Sequence, residues 1–360
     1  MHFEFVYMKL SEIGELSLLK TIRKRFAVQS KDVIAGIGDD TAVIRPPGEN
    51  LLVTTDMMVE GIHFDLNLIT PFQLGFKLVS VNVSDIYAMG GTPQYLLLDI
   101  AMNRNKEKSF VDSFLDGIRR AMKLYGVFLI GGDISSSRKD MVLAAALIGN
   151  AKRHIRRSGA KIGDRIYVTG NLGDSACGLE ILKKAISHHP PQAESAISNE
   201  PTAKSYPLTV KYKQKGLKWN TIAPLIQRHL MPEARNPKGF AKYAAAMIDL
   251  SDGLFMDLSR LCDESRVGAR IFLERIPVSG RMRTVSSLLR LDAIKLACSG
   301  GEDYELLFTA PSDYKPRAMS HELKITCIGE ITKRGRVVID AAGRESQLKP
   351  SGYQHFEIQR

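Results

Sequence analysis

The chain has 360 residues, enough for two domains of ordinary size, with 44% hydrophobic and 25% charged residues and a formal charge of +11. It has no apolar run of about 18 residues, which excludes a membrane-spanning helix, and its start, MHFEFVYMKLSEIGEL, lacks a secretory pattern, with Met8 as a second possible start. Residues 151–240 hold 16 Lys/Arg against 6 Asp/Glu but no interleaved aromatics, which fits a solvated face or an anionic small ligand and argues against nucleic acid.

The elements alternate between short β-rich runs and helical patterns. GIGDDTAVI (36–44) places two aspartates in a glycine-flanked turn. NLLVTTD (50–56) reads as a strand. Residues 70–90, TPFQLGFKLVSVNVSDIYAMG, predict a helix with Thr70 as cap and Pro71 in the first turn. YLLLDIAM (95–102) predicts a buried strand, and 108–126 a helix ending at a glycine. VFLIGGD (127–133) and MVLAAALIGN (141–150) are further strands. A second half opens near residues 150–160, with a strand at 165–169 and a helix over about 173–186. Residues 187–220 are polar, proline-containing and aperiodic, and read as an insertion. Periodicity returns with TIAPLIQRHL and PKGFAKYAAAM. MIDLSDGLFMDLSRLCDES then predicts strand, turn and helix, and ARIFLERI and DYELLFTA predict strands. The class is α/β, with domains at 1–150 and 151–360.

Cys177, Cys262, Cys298 and Cys327 are widely spaced and form no CxxC pair. Neither a zinc site nor a disulfide framework is expected, and a cytoplasmic location fits. The informative pattern is acidic. Asp56, Asp133, and Asp249 with Asp252 follow strand-like runs, where ligands sit in open α/β sheets. Asp39-Asp40, Asp85 and Glu302-Asp303 add to them, with hydroxyl neighbours at Thr54, Thr55, Ser84 and Ser251. Singly, each is an ordinary turn or cap residue. Together they form an oxygen-only donor set suited to Mg²⁺ or Ca²⁺, and several carboxylates in one cleft imply several Mg²⁺ ions around a polyphosphate such as ATP. The chain has no GxxxxGK[ST] loop, no protein-kinase HRD and DFG pair and no GxSxG elbow. Phosphates would therefore be held by metal ions and backbone N–H groups.

GIGDDTAVI, TTDMMVEGIHF, NVSDIYAMGGTP, LIGGDIS, RSGAKIGDRIYVTGNLGDSACGL, IDLSDGL and SGGEDYELLF occur in that order. The set resembles the thiamine-monophosphate kinase family, over roughly residues 11–355 without the insertion. The wider aminoimidazole ribonucleotide synthetase-like superfamily shares only the acidic and glycine pattern. The resemblance implies a two-domain α/β (α+β) fold of that superfamily, an N-terminal ATP- and Mg²⁺-binding domain that pairs in a homodimer, and a C-terminal α/β domain. It implies transfer of a phosphoryl group from ATP to thiamine monophosphate, giving thiamine diphosphate, the last step of that cofactor's synthesis. It places Asp40, Thr54, Thr55, Asp56, Asp85, Asp133, Asp249 and Asp252 on metal positions. Gly132, Asp133, Arg157, Ser251 and Tyr125 fall on ATP contacts, and His63, Glu302 and Tyr353 on thiamine-phosphate contacts. No residue is implied as an acid or base; Asp133 and Asp252 are the most critical for metal-assisted transfer. Asp39 has no implied ligand role. Read alone, Arg157 is a surface charge and His63 a structural histidine. Other readings are a superfamily enzyme that activates an amide oxygen with ATP, or a nucleotide sensor without turnover.

Overall fold

The computed structural model describes residues 21–22, 24–26, 30–35, 43–44, 46, 48–186, 217–316 and 323–353. The chain divides into two compact units, residues 1–86 with 91–153, and residues 87–90 with 154–360. No helix among the described residues is long and apolar enough to cross a membrane.

In the first unit, strands β1 (Val33–Ala35) and β2 (Val43–Ile44) form a small antiparallel pair. A four-stranded sheet follows, built from β3 (Asn50–Val59), β4 (Thr92–Asn103), β5 (Phe128–Ser137) and β6 (Val142–Ala151), in the order β3-β6-β4-β5. Only the β4–β5 pair is parallel. Helices α1 (Pro71–Ala88) and α2 (Lys108–Tyr125) connect the strands.

Local chemistry explains both helix ends. At the start of α1, Thr70 Oγ1 accepts from the Gln73 N–H and Gln73 Oε1 accepts from the Thr70 N–H, a reciprocal capping box. Helix α2 buries Val111, Phe114, Leu115, Ile118 and Ala121 at helical spacing and stops at Gly126, whose φ of 71° is left-handed. The two helices meet at glycines: a Cβ on Gly75 would lie 2.1 Å from the Phe114 carbonyl oxygen, and one on Gly117 1.9 Å from that of Phe72.

Along β6 burial alternates strictly, so one sheet face is covered. The other face is open at β3, where Leu51, Val53 and Met57 are 52%, 66% and 59% exposed. The expectation that Asp56 and Asp133 end their strands is corrected. Strand β3 runs on to Val59, paired with Val142, and β5 runs on to Ser137, paired with Asn103. Continued β pairing carries both aspartates into strand interiors.

The second unit holds a seven-stranded sheet in the order β13-β12-β9-β11-β7-β10-β8. Its strands are β7 (Arg165–Thr169), β8 (Ala246–Asp249), β9 (Gly268–Phe272), β10 (Leu306–Ala310), β11 (Ile325–Thr332), β12 (Arg336–Ile339) and β13 (Glu345–Gln347). Only β12 and β9 run parallel. Helices are α3 (Asp174–Ile186), α4 (Trp219–Leu230), α5 (Leu254–Ser265), α6 (Gly280–Leu289) and α7 (Ala293–Ser299). Under the sheet, Phe240 stacks on Phe308 at 4.5 Å and Tyr167 on Phe308 at 5.2 Å. Two expectations are adjusted. PKGFAKYAAAM yields only a single 3₁₀ turn, Ala241–Tyr243, before β8. Residues Asp303 to Glu305 of DYELLFTA precede β10 instead of joining it.

Candidate functional site

Within the first unit, Thr54, Asp56 and Asp85 come together. Thr54 Oγ1 donates to Asp85 Oδ2 at 2.5 Å, bringing the last turns of α1 against β3. Asp56 is two residues further along the same strand face. Its carboxyl is pushed up to about 7, first by burial and second by the Asp85 charge. Two carboxylates sharing a partly desolvated site cannot both ionise cheaply. The structure does not bring the Thr55 hydroxyl to them, because side chains alternate along a strand and Thr55 faces the open side.

Asp133 also lies on the open side. Register joins Met57, Ala144, Asp99 and Asp133 across the sheet, whereas Asp56, Ala145, Leu98 and Gly132 share the covered side. Asp133 is exposed, and its N–H donates to Asp99 Oδ1 at 2.9 Å. Gly132 before it has φ 144°, and a Cβ there would lie 1.9 Å from the Leu98 carbonyl oxygen. Only glycine fits. Strands β3 and β5 are the two edges of the sheet. Three strand spacings separate them, about 14 Å. Asp56 and Asp133 of one chain are thus not gathered on one ion. Tyr125 is within hydrogen-bond distance of Ser80 across the two helices, at 3.0 Å. His63 Nδ1 accepts from the Val59 N–H at 3.0 Å, which fixes its ring in the turn after β3. Asp40, with Asp39 and most of GIGDDTAVI, lies outside the described residues, as do residues 187–216 of the insertion.

In the second unit, four expected residues are held together by backbone. The Glu302 N–H donates to the Ser251 carbonyl at 2.7 Å, and the Tyr353 N–H to the Asp252 carbonyl at 3.0 Å. Asp249 is buried at the end of β8, opposite Leu306. The Asp252 carboxylate pairs with Arg260, which also reaches Asp257 at 2.8 Å. Asp257 accepts from the N–H groups of Asp252 and Gly253, both at 3.1 Å, which fixes the turn before α5. Burial pushes Asp257 up to about 6, with the Asp252 charge adding to it.

Beside this turn sits a buried ionic cluster in which Asp303 belongs to the expected acidic set, whereas Glu305, Arg228 and Arg235 do not. Glu305 is 1% exposed and receives Arg228, Arg235 and the Thr169 hydroxyl. Burial alone would raise its pKa, but the Arg228 and Arg235 charges outweigh burial and hold it low. Asp303 accepts from the Gly173 and Ser175 N–H groups at the start of α3. Burial pushes Asp303 up to about 7 against the pull of Arg228. The signal for this cluster was present: RHLMPEAR and GEDYELL set opposite charges inside otherwise apolar segments. Arg157 is not gathered here. It is exposed, and its carbonyl accepts from Ser265, the last residue of α5. Asp252 stands before the other end of that helix, which spans roughly 17 Å.

Among the described residues, no three or more carboxylates, histidines or cysteines are grouped to enclose an ion. Among the described residues, Asp56–Asp85 is a carboxylate pair next to the expected metal residue Thr54, and Asp252–Asp257 is a second pair, already bridged by Arg260. Mg²⁺ ordinarily takes one or two carboxylates and fills its shell with water and phosphate oxygens, so such pairs fit it.

Residues 38–151 match the family described as AIR synthase related protein, N-terminal domain, and residues 228–341 its C-terminal domain. Thiamine-monophosphate kinase of Aquifex aeolicus (strain VF5) is 35% identical over 351 residues, covering 97% of this chain and 100% of that protein. A solved structure described as AaThiL complexed with AMPPCP and TMP has a TM-score of 0.71 at 35% identity, covering 98% of this chain and 100% of that one. That of thiamine-monophosphate kinase from Stenotrophomonas maltophilia K279a gives a TM-score of 0.74 at 29% identity, covering 91% and 96%.

Proposed function

The chain belongs to the thiamine-monophosphate kinase family, and from that premise we propose that it phosphorylates thiamine monophosphate with ATP, giving thiamine diphosphate and ADP. The observation that carries the reading to this chain's own residues is the backbone tie of Glu302 to Ser251 and of Tyr353 to Asp252. It joins the residues proposed for the thiamine ring to those proposed for ATP and metal.

Donor and acceptor in this reaction are both anionic phosphates. The acceptor oxygen is already deprotonated at neutral pH, so the chain need supply no general base. Its task is positioning and charge neutralisation. Bound Mg²⁺ would supply that neutralisation. The fit comes from the raised Asp56 carboxyl beside Asp85: a divalent cation there favours ionisation of both. Thr54, Asp56, Asp85, Asp133, Asp249 and Asp252 are the proposed metal-holding side chains, with Asp40 and Thr55 retained from the resemblance. Gly132 lets the backbone approach a phosphate, Ser251 stands beside it, and Arg157 can grip one through its planar fork. Tyr125 is proposed beside the nucleotide, and its phenol lies close to Ser80. Glu302 would face the cationic thiazolium, Tyr353 would stack on a ring, and His63 would meet the same substrate from its turn.

The unit carrying the open sheet face is proposed to pair with a second copy. Two observations support it. Leu51, Val53 and Met57 form an exposed apolar row on a face that also bears Asp99 and Asp133. Asp56 and Asp133 stand on opposite edges and opposite faces, so a site using both needs both chains. The four cysteines are all unpaired, consistent with a reducing cytoplasm. The deciding measurement incubates the purified chain with Mg²⁺, ATP and thiamine monophosphate and follows ADP and thiamine diphosphate. ADP without thiamine diphosphate at any metal concentration would refute the assignment.

A further inference from the structure

Helix α4 ends with Arg228 and His229 against the segment that carries Glu302. His229 is buried, and its Nδ1 lies 3.1 Å from Glu302 Oε2 and 3.1 Å from Ser175 Oγ. A carboxylate offers only lone pairs, so an ionised Glu302 selects the ring form with hydrogen on Nδ1. Ser175 is itself fixed: it is fully buried, and its N–H donates to Asp303. Arg228, one residue earlier, donates to the Asp303 carbonyl and to Glu305. Adjacent residues of α4 therefore grip both the backbone and the side chain of Glu302–Glu305.

The Glu302 backbone is fixed as well. Its φ of 63° is left-handed for a side chain with a Cβ, and its N–H is bonded to Ser251. A free glutamate loses rotamer freedom whenever it meets a ligand; one already held does not lose it at that moment. Glu302 remains 29% exposed, within reach of a ligand.

We propose that His229 is a positioning residue for thiamine monophosphate, holding the Glu302 carboxylate oriented toward the cationic ring. The proposal rests on the reading that Glu302 meets that ring. The test compares His229→Asn with His229→Gln, Glu302→Gln and the double variant His229→Gln/Glu302→Gln. Asparagine can set a donor where Nδ1 stands, whereas glutamine sets it near the Nε2 position. His229→Gln is expected to raise the KM for thiamine monophosphate about tenfold, the size of one charge-assisted hydrogen bond. The KM for ATP should stay within about twofold, since the partners lost from Nδ1 are Glu302 and Ser175 and neither nucleotide nor metal is proposed at them. His229→Asn should recover most of the loss. In the Glu302→Gln background, His229→Gln should add little, because the partner is already gone. Ser175→Ala leaves the ring in place and is expected to give a smaller increase of the same kind, so it serves as a second arm where a His229 variant folds poorly. Equal KM values for the Asn and Gln variants, full additivity in the double variant, or a Ser175→Ala effect confined to ATP would overturn the proposal. A Glu302→Gln variant with an ordinary KM for thiamine monophosphate would instead defeat the reading of Glu302.

Discussion

Asp85→Asn separates charge from shape at the centre of the first unit. Thr54 Oγ1 donates to Asp85 Oδ2, and an asparagine oxygen can accept the same bond. What disappears is negative charge beside Asp56. That carboxyl is raised from 3.8 to about 7, by burial first and Asp85 second. The sign follows directly. The folded chain holds the Asp56 proton up to about pH 7, while the unfolded chain releases it near 3.8. Stability from this group is complete below the lower value and is lost as pH rises through the upper one. The interval amounts to about 4 kcal/mol. Burial is the larger cause, so Asp85 accounts for the smaller share, about 1 to 2 kcal/mol. We expect Asp85→Asn to raise the melting temperature of metal-free protein at pH 8 by roughly 3 to 6 °C. At pH 5 Asp56 is already protonated, and the gain should nearly vanish. Turnover should fall more than about a hundredfold, as loss of a metal-holding carboxylate requires. The assay is a melt in EDTA at pH 5 and 8, repeated with Mg²⁺ and ATP. A lower melting temperature than the parent at pH 8 in EDTA would refute the repulsion argument; undiminished stabilisation by Mg²⁺ and ATP would refute the metal role.

Three further outcomes are expected. Gly132→Ala should destabilise the first unit by more than about 3 kcal/mol, because its Cβ meets the Leu98 carbonyl oxygen and φ is 144°; the urea midpoint measures it. Glu305→Gln should cost about 3 to 5 kcal/mol at pH 7, since two arginines lose a buried charge partner. Glu305 has a lowered pKa, so its contribution is present above the ordinary 4.5 and fades as pH falls below it; denaturation at pH 7 and pH 4 should show the loss shrinking in acid. Val53→Glu with Met57→Glu, at two side chains exposed on the single chain, should convert the proposed dimer to monomers by light scattering and make the melting temperature independent of protein concentration. An unchanged mass would count against pairing through this face.

Much of the fold was legible because its signals are local. The Thr70–Gln73 box, Gly126 and the apolar spacing of α2 each mark an element directly. The short helices α6 and α7 gave no such periodicity, although Ser279 and Asp292 cap them by accepting from the Met282 N–H and from the Ile294 and Lys295 N–H groups. Strands β11 to β13 depend on partners far along the chain, and β pairing is a tertiary property. The candidate site divides in the same way. Residue types and motif order pointed to Ser251, Asp252, Glu302 and Tyr353. What they could not supply was which face of a strand Asp56 and Asp133 occupy, since one residue of register decides it. Nor could they pair Glu305 with Arg228 and Arg235, 77 and 70 residues away in sequence.

Among the described residues, four other than glycine have left-handed backbone, and they are of two kinds. Arg266 and Arg290 each follow a helix and donate back to its last turn, an ordinary way to stop one. Glu302 and Tyr304 follow α7 across Gly300 and Gly301 and are held from outside, by the carbonyls of Ser251 and Leu250. Strain of this second kind persists only where neighbours over-determine it. Here the neighbours are the turn after β8, the buried Asp303 at the start of α3, and the Arg228–His229 end of α4. Each element that stabilises the strained pair also carries or touches a residue proposed for substrate, nucleotide or metal. The strain therefore has a consequence that a relaxed loop lacks: it fixes the point from which the Glu302 side chain leaves the backbone, beside the Ser251 carbonyl. A glycine at 302 would relieve the backbone and remove the side chain. Burial of Glu305 and Asp303, costly in isolation, supplies the rigidity that keeps this arrangement in place.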